Sequence, residues 1–511
     1  MLSQINSGAV LGIEAFSVEI EVNAGHGDPK AVVVGLPDAA VKESLDRVWT
    51  ALINSGLRPP MGRTVVNLAP ADVRKEGPSF DLPIALGIVS ALDDLDGELL
   101  PRTCVVGELA LSGAVRKVRG VLPIALMARK AGLKAILVPE ENAAEAAVVE
   151  GIKVFPVRTL REAVDFLDRK LRLEPYEVDV RSVFDARSVY EVDFSDVKGQ
   201  ESAKRALEVA VAGGHNLLMI GPPGTGKSML AKRIPSILPA MTLDEALETT
   251  KIHSIAGALK ARRALVARRP FHAPHHTVSD AGLLGGGSHP MPGAVSLAHN
   301  GVLFLDELPE FRRSVLEVMR QPLEDGEVTI ARAVASVTYP CRFMLVAAMN
   351  PCPCGYQTDP RRECRCSPMQ IARYRNRISG PLMDRIDIHV EVPAISYDQM
   401  ARPERGEASS VVRERVMRAR KVQQERYRDV PGVHDNAGMP SKLVRGVCRL
   451  GRDAEQMLRV AMADLHFSAR AYDRILKVAR TIADLGGSET VRPADVSEAI
   501  QYRALDRQIW A

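Results

Sequence analysis

The stretch NLLMIGPPGTGKSMLAKRI, Asn216 to Ile234, decides how the chain is read. Its apolar run, Leu217 to Ile220, has no polar interruption, which describes a short strand buried on both faces in a parallel sheet. The glycines that follow let the backbone turn tightly and aim N–H groups inward, and MLAKRI then reads as a helix. Such a loop holds phosphate with its amides and with the positive end of the helix. Gly221, Pro222, Pro223, Gly224, Thr225 and Gly226 form the cradle. Lys227 is spaced to reach the β and γ phosphates of ATP, and Ser228 to ligate Mg²⁺.

Working outward, three more short apolar strands surround this one: GVLFLDEL (301–308), FMLVAAMN (343–350) and DIHVEV (387–392). Acidic pairs are usually solvated surface, but Asp306–Glu307 closes an apolar strand in a chain that carries a phosphate loop. There Asp306 suits Mg²⁺ and Glu307 suits polarising the attacking water, while Asn350, ending a third strand, suits orienting it. The fold class that follows is α/β, a P-loop ATPase core with a parallel sheet.

Composition narrows the rest. At 511 residues the chain exceeds one core, and 46% hydrophobic with 25% charged residues is ordinary for a globular protein. A net charge of +4 directs attention to local basic clusters rather than to the whole surface. No apolar run approaches the ~18 residues of a membrane span. MLSQINSGAV lacks a signal-peptide pattern, so a cytoplasmic protein is expected. Residues 1–170 alternate strands and helices, 171–190 are polar and read as a linker, 191–395 carry the ATPase pattern, and 396–511 are helical.

Four of seven cysteines fall in NPCPCGYQTDPRRECRC, as Cys352, Cys354, Cys364 and Cys366. Where thiols stay reduced, such clustering suggests metal, and four thiolates suit a structural tetrahedral Zn²⁺. Free thiols or an iron–sulfur cluster stay open. The run that overlaps the second pair carries Arg361, Arg362, Arg365, Arg373, Arg375 and Arg377 around Tyr374. Arginines with an interleaved aromatic suit DNA phosphates and bases, against a merely solvated charge run. EVTIARAVASVTYP (327–340) reads as a hairpin around Ala331–Arg332–Ala333. His272, His275, His276, His289 and His299 lie in and beside a Gly-rich loop, without metal-ligand spacing.

GPPGTGKS, FLDEL, the strand ending at Asn350, GPLMDRIDIHV and FSARAYDRILKVARTIADL together resemble the magnesium-chelatase-like AAA+ ATPases. More narrowly, almost the full length resembles the ComM/YifB family. The resemblance implies an N-terminal Lon-protease-like α+β domain, an AAA+ core with a pre-sensor hairpin, and a C-terminal helical lid. It also implies a homohexamer in which Arg385 acts on the neighbour's ATP and Arg470 is the sensor on the lid. Without it, both arginines would be read as salt-bridge partners. Arg332 would then point into the central pore. The implied function is an ATP-driven helicase promoting branch migration during natural transformation. Its partners would be single-stranded and branched DNA and recombinase-dependent strand-exchange intermediates.

KEGPSF (75–80) resembles the nucleophile turn of Lon, with Ser79 at the serine. The position of Lon's general base is Leu122 here, which cannot take a proton, so an inactive scaffold is expected. Two competing functions remain: a chelatase-type subunit that helps insert Mg²⁺ into a porphyrin, and, less favoured, an ATP-dependent protease.

Overall fold

The computed structural model describes residues 2–25, 30–95, 97–185, 190–260, 262–287, 290–332, 336–395, 406–465 and 467–510. Ala333, His289 and the expected start of the helical region at 396 lie outside the described residues.

In the N-terminal region the apolar runs AVVVGL, TVVNLAP, TCVVGELAL and KAILVP all form strands, and a hairpin that turns at Gly12–Ile13 precedes them. That hairpin pairs β1 (Leu2–Leu11) with β2 (Glu14–Ala24) along their whole lengths. Its signal was the alternation that buries Val18, Ile20 and Val22 while their neighbours face outward. With β3 (Ala31–Val34), β4 (Thr64–Ala69), β5 (Thr103–Val105), β6 (Ala135–Pro139) and β7 (Lys153–Val157) it makes a mixed sheet ordered β3-β4-β2-β1-β5-β6-β7. Helices α1 (Ala39–Asn54), α2 (Asp81–Ala91) and α3 (Val121–Lys130) accompany it. α2 is almost entirely buried, matching its unbroken apolar sequence.

The ATPase region follows α4 (Glu201–Gly213) with β8 (Leu217–Ile220), α5 (Lys227–Ile237) and α6 (Leu243–Ile255). Then come β9 (Phe271–His272), β10 (Val302–Leu305), the hairpin β11 (Glu327–Ala331) and β12 (Ser336–Pro340), β13 (Met344–Met349), α7 (Pro368–Arg375) and β14 (Ile388–Glu391). β9-β10-β13-β8-β14 form one sheet, and every pairing in it is parallel. β8, β10 and β13 are buried at every residue, as their uninterrupted apolar sequences require. Each fully buried Leu or Ile contributes about 1.5–3 kcal/mol.

Helices α8 (Ser409–Arg426), α9 (Arg452–Asp464), α10 (Ala469–Leu485) and α11 (Pro493–Trp510) share one apolar core with β8 and α4. Polar bonds add direction: His215 Nε2 lies 2.8 Å from Thr481 Oγ1, and Arg474 pairs with Asp387. Burial pushes the Asp387 carboxyl up, but Arg474 and His215 outweigh it and hold the group well below the usual carboxylate range.

The segment expected as a linker is not free. Val178, Val180, Val183 and Phe184 pack with Ala144 and Val148 of the N-terminal region and Met241, Ala246 and Leu265 of the ATPase region. Across the same junction Lys251 Nζ is 3.0 Å from Glu14 Oε1, and Lys117 Nζ donates to Leu259 O at 2.5 Å. Four apolar residues spread over a polar stretch are too sparse to show periodicity, yet sufficient to dock it.

Candidate nucleotide site and thiol cluster

The phosphate loop occupies the carboxyl end of β8, and the carboxyl ends of β10 and β13 on the same side bring in the other polar groups. Ser228 Oγ donates to Asp306 Oδ2 at 2.6 Å, so hydroxyl and carboxylate converge as a pair of Mg²⁺ ligands should. Lys227 Nζ donates to Gly221 O at 2.6 Å, Pro222 O at 2.9 Å and Asn350 Oδ1 at 3.2 Å. Burial pulls this ammonium down to about 8, against the opposing pull of Asp306 and Glu307. Glu307 sits in the left-handed region at φ 52° and is exposed. That conformation is unusual for a residue with a Cβ and marks a constrained site. Lys227, Ser228, Asp306, Glu307 and Asn350 thus stand together on one edge of the sheet.

Arg385 and Arg470 stand on the opposite edge. Arg385 precedes β14, whose first residue pairs with Leu217 at the start of β8, and Asn216 Nδ2 donates to Arg385 O at 2.9 Å. A four-residue strand spans ~13 Å, so β8 separates Arg385 from its own phosphate loop. Arg470 Nη1 is 3.4 Å from Asp384, and the lid therefore presents it beside Arg385 rather than over the chain's own phosphate loop. Both line a cleft of about 1300 Å³ with Arg342, Arg420, Arg474 and Lys477. Arg385 pairs with Glu324, and burial with the charges of Arg320, Arg470 and Arg474 lowers its pKa. Arg474 was not singled out from the sequence; its i+4 spacing from Arg470 on a helix was the available signal.

The four cysteines converge. Their Sγ atoms all lie within 4.8 Å of one another, with Cys352 to Cys354 at 3.4 Å and Cys364 at 3.6 Å from both. Tetrahedral Zn²⁺ with bonds of about 2.3 Å needs sulfurs about 3.8 Å apart. The donor set therefore fits a closed structural zinc site. Burial raises the Cys352 thiol to about 12, while a backbone N–H of Tyr356 lowers Cys354 to about 6. Gly355, at φ 85°, lies flat on the phosphate loop; a Cβ there would meet Pro223 Cδ at 2.6 Å.

The basic run divides. Arg375 turns inward, donating to Pro351 O at 3.1 and 3.0 Å and to Gln357 Oε1 at 2.6 Å, so it braces the cysteine loop. Arg377 is tied to Pro309 O and Glu310, and Tyr374 is buried rather than available to a base. Arg361, Arg362 and Arg373 stay exposed, and the aromatic beside them is Tyr356, 5.1 Å below the Arg362 guanidinium. Arg332 is exposed at the tip of the β11–β12 hairpin. The histidines do not form a metal set among the described residues, where the four cysteines alone qualify.

In the N-terminal region Ser79 follows Gly77–Pro78 as expected, and its hydroxyl has no hydrogen bond among the described residues. Leu122 is fully buried, and its N–H donates to Glu145 Oε1 at 2.9 Å. Lys117 is committed to Leu259 O and Lys130 faces solvent.

Against known proteins, three family models match in order along the chain. They are subunit ChlI of Mg-chelatase at residues 20–142, magnesium chelatase subunit ChlI at 193–400, and the ChlI C-terminal region at 406–503. The chain is 45% identical to the competence protein ComM of Haemophilus influenzae, over 99% of this chain and 98% of that protein. The chain belongs to the ComM/YifB family of magnesium-chelatase-like AAA+ proteins. YifB of Escherichia coli is 43% identical over the same shares. Lon protease 2 of Bacillus subtilis is 24% identical over 34% of this chain and 33% of its own length, a partial likeness. Membership implies ATP and Mg²⁺ as ligands. Among the described residues no helix is long and apolar enough to cross a membrane.

Proposed function

We propose that this protein is an ATP-hydrolysing ring motor that moves DNA strands, promoting branch migration in recombination. One observation carries the reading: the phosphate loop and Arg385–Arg470 occupy opposite edges of one sheet. A chain built so holds half of a catalytic site on each side, and each half is completed by a neighbour. Closed head-to-tail rotation of identical subunits satisfies both halves, and six is the number the family resemblance implies.

Within that site Lys227 and the loop amides hold the β and γ phosphates. Ser228 and Asp306 would hold Mg²⁺, which supplies charge neutralisation at those phosphates. Glu307 accepts a proton from the attacking water, and Asn350 fixes its direction. Arg385 of each subunit stabilises charge developing on the neighbour's γ phosphate, with Arg470 beside it. Arg332 offers a phosphate contact in the pore, and Arg361, Arg362 and Arg373 offer a second basic surface. Zn²⁺ would hold that surface rigid against Pro223, so that nucleotide state and DNA grip move together. A competence protein as a full-length relative supports DNA rather than porphyrin as the partner. The N-terminal region is a scaffold docked on α6. The deciding assay is ATPase activity with no DNA, single-stranded, duplex and three-stranded branched DNA. Stimulation greatest on branched DNA is expected, and no stimulation by any DNA overturns the reading.

A further inference from the structure

Arg385 is not free to reach a neighbour in the single chain. Its side chain is only 10% exposed, is paired with Glu324, and donates through Nη1 to Pro381 O. Glu324 stands on the short helix Arg320–Asp325 and leaves 53% of its own side chain exposed. Arg320, Arg470 and Arg474 press on the Arg385 charge from within the cleft, and Glu324 offsets them. Once Arg385 extends toward a neighbour's γ phosphate, Glu324 is left at the same edge as an exposed carboxylate without its partner.

The phosphate-loop edge that it would face is already anionic. Asp306, Glu307 and Glu310 stand there beside the phosphates, and a further carboxylate brought against them is repelled unless a cation meets it. Several basic groups of that edge are committed. Lys227 is held in the phosphate loop, Arg375 braces Pro351 O, and Arg377 is tied to Glu310. Arg313 differs. It opens the helix Arg313–Val318 that follows the β10 carboxylates, is exposed, and makes no ion pair among the described residues. Glu317, one turn further on, is paired with Arg320 at 3.3 Å. Arg313 also lines a cavity of about 510 Å³ with Met369, Ala372, Arg373, Asn376 and Arg377, which leaves room for an incoming side chain.

We propose that Glu324 exchanges partners when the ring closes, leaving Arg385 of its own chain for Arg313 of the neighbouring subunit. The exchange frees Arg385 in the step that delivers it to the neighbour's phosphate, so a chain without a neighbour keeps its arginine retracted. The inference rests on the ring reading for the approach of the two edges.

The test follows ATP-dependent assembly of the full chain by mass photometry and ATPase activity against protein concentration. Glu324→Arg and Arg313→Glu should each raise the concentration for half-maximal ATPase several-fold, a modest change per pair that is repeated around the ring. An equal mixture of the two variants should recover most of the wild-type behaviour, because alternating subunits present opposite charges at every interface. A merely structural role at either position would not be rescued by mixing. A mixture no better than its components, or single variants that assemble and turn over as wild type does, overturns the pair. If charge reversal prevents folding, Glu324→Gln, Arg313→Gln and their double decide. A double no worse than either single supports the pair, and losses that add overturn it. If wild type forms no ring with ATP, the ring reading itself fails and the exchange with it; rings without rescue remove the exchange alone.

Discussion

Two turns in this chain present a serine after glycine and proline: Gly77–Pro78–Ser79 in the N-terminal region, and the loop that ends in Lys227–Ser228. Both lead into buried α/β structure. They differ in what the surrounding strands deliver. Ser228 meets Asp306, and Lys227 meets Asn350, each from the end of a different strand. Ser79 has no side-chain hydrogen bond among the described residues, and Leu122, where the resemblance to Lon implies the base, is a buried apolar residue whose N–H goes to Glu145. A reactive residue type in a tight turn is only a position; chemistry requires the second and third groups that the sheet brings to it.

The comparison is sharpened first at the site that is complete. Lys227→Ala should lose nucleotide binding, and Glu307→Gln should bind ATP without turning it over. Arg385→Ala should lower kcat by about 10³–10⁵ with ATP binding retained, since an arginine acting across an interface serves the transition state. Mixing Arg385→Ala with Lys227→Ala subunits should restore part of the activity. No rescue in proven mixed rings breaks the assignment of the two edges to different sites.

The next largest effect concerns the thiols. Elemental analysis should find about one zinc per chain, lost in Cys352→Ser and Cys364→Ser together with DNA stimulation. Zinc supplies ~10–16 kcal/mol in zinc-finger peptides, so a chelator should also lower the melting temperature. Metal-free wild type with full stimulation would remove the cluster from the motor.

A smaller effect follows from the lowered Lys227. The free enzyme loses the charged amine as pH rises through about 8, while bound phosphate favours the charged form. The Kd for ATP should therefore be flat below pH 7 and weaken above pH 8, by up to about tenfold per pH unit. Isothermal titration across that range checks it, and a flat profile to pH 9 would contradict the desolvated setting.

Arg332→Ala should reduce the salt slope of DNA binding by about one per engaged subunit and diminish stimulation. The smallest effect belongs to the incomplete turn: Ser79→Ala should leave ATP-driven DNA activity unchanged, and casein should not be cleaved. Casein turnover abolished by Ser79→Ala would break the contrast between the two turns.

The sequence by itself determined the parallel sheet, the phosphate loop, the strand-end carboxylates and the cysteine set. These are legible because buried central strands must be uniformly apolar, phosphate loops need glycine and lysine at fixed spacing, and thiols rarely cluster without cause. The hairpin Leu2–Ala24 was written in its alternation and in Gly12 at its turn, while the 171–190 segment hid its docking in four scattered apolar residues. Only the tertiary structure decided direction. Arg375 and Tyr374 lie in the same basic run as Arg373, yet the first two face inward. Arg470 joins Arg385 at the amino edge because the lid packs against α4 and β8 there. His276 reaches Glu307 because β9 and β10 are parallel neighbours whose ends coincide in space, thirty residues apart in the chain. Spacing along a chain records what one element needs locally. Which side chains from different elements meet is set by how those elements pack, and that information is distributed over the whole core.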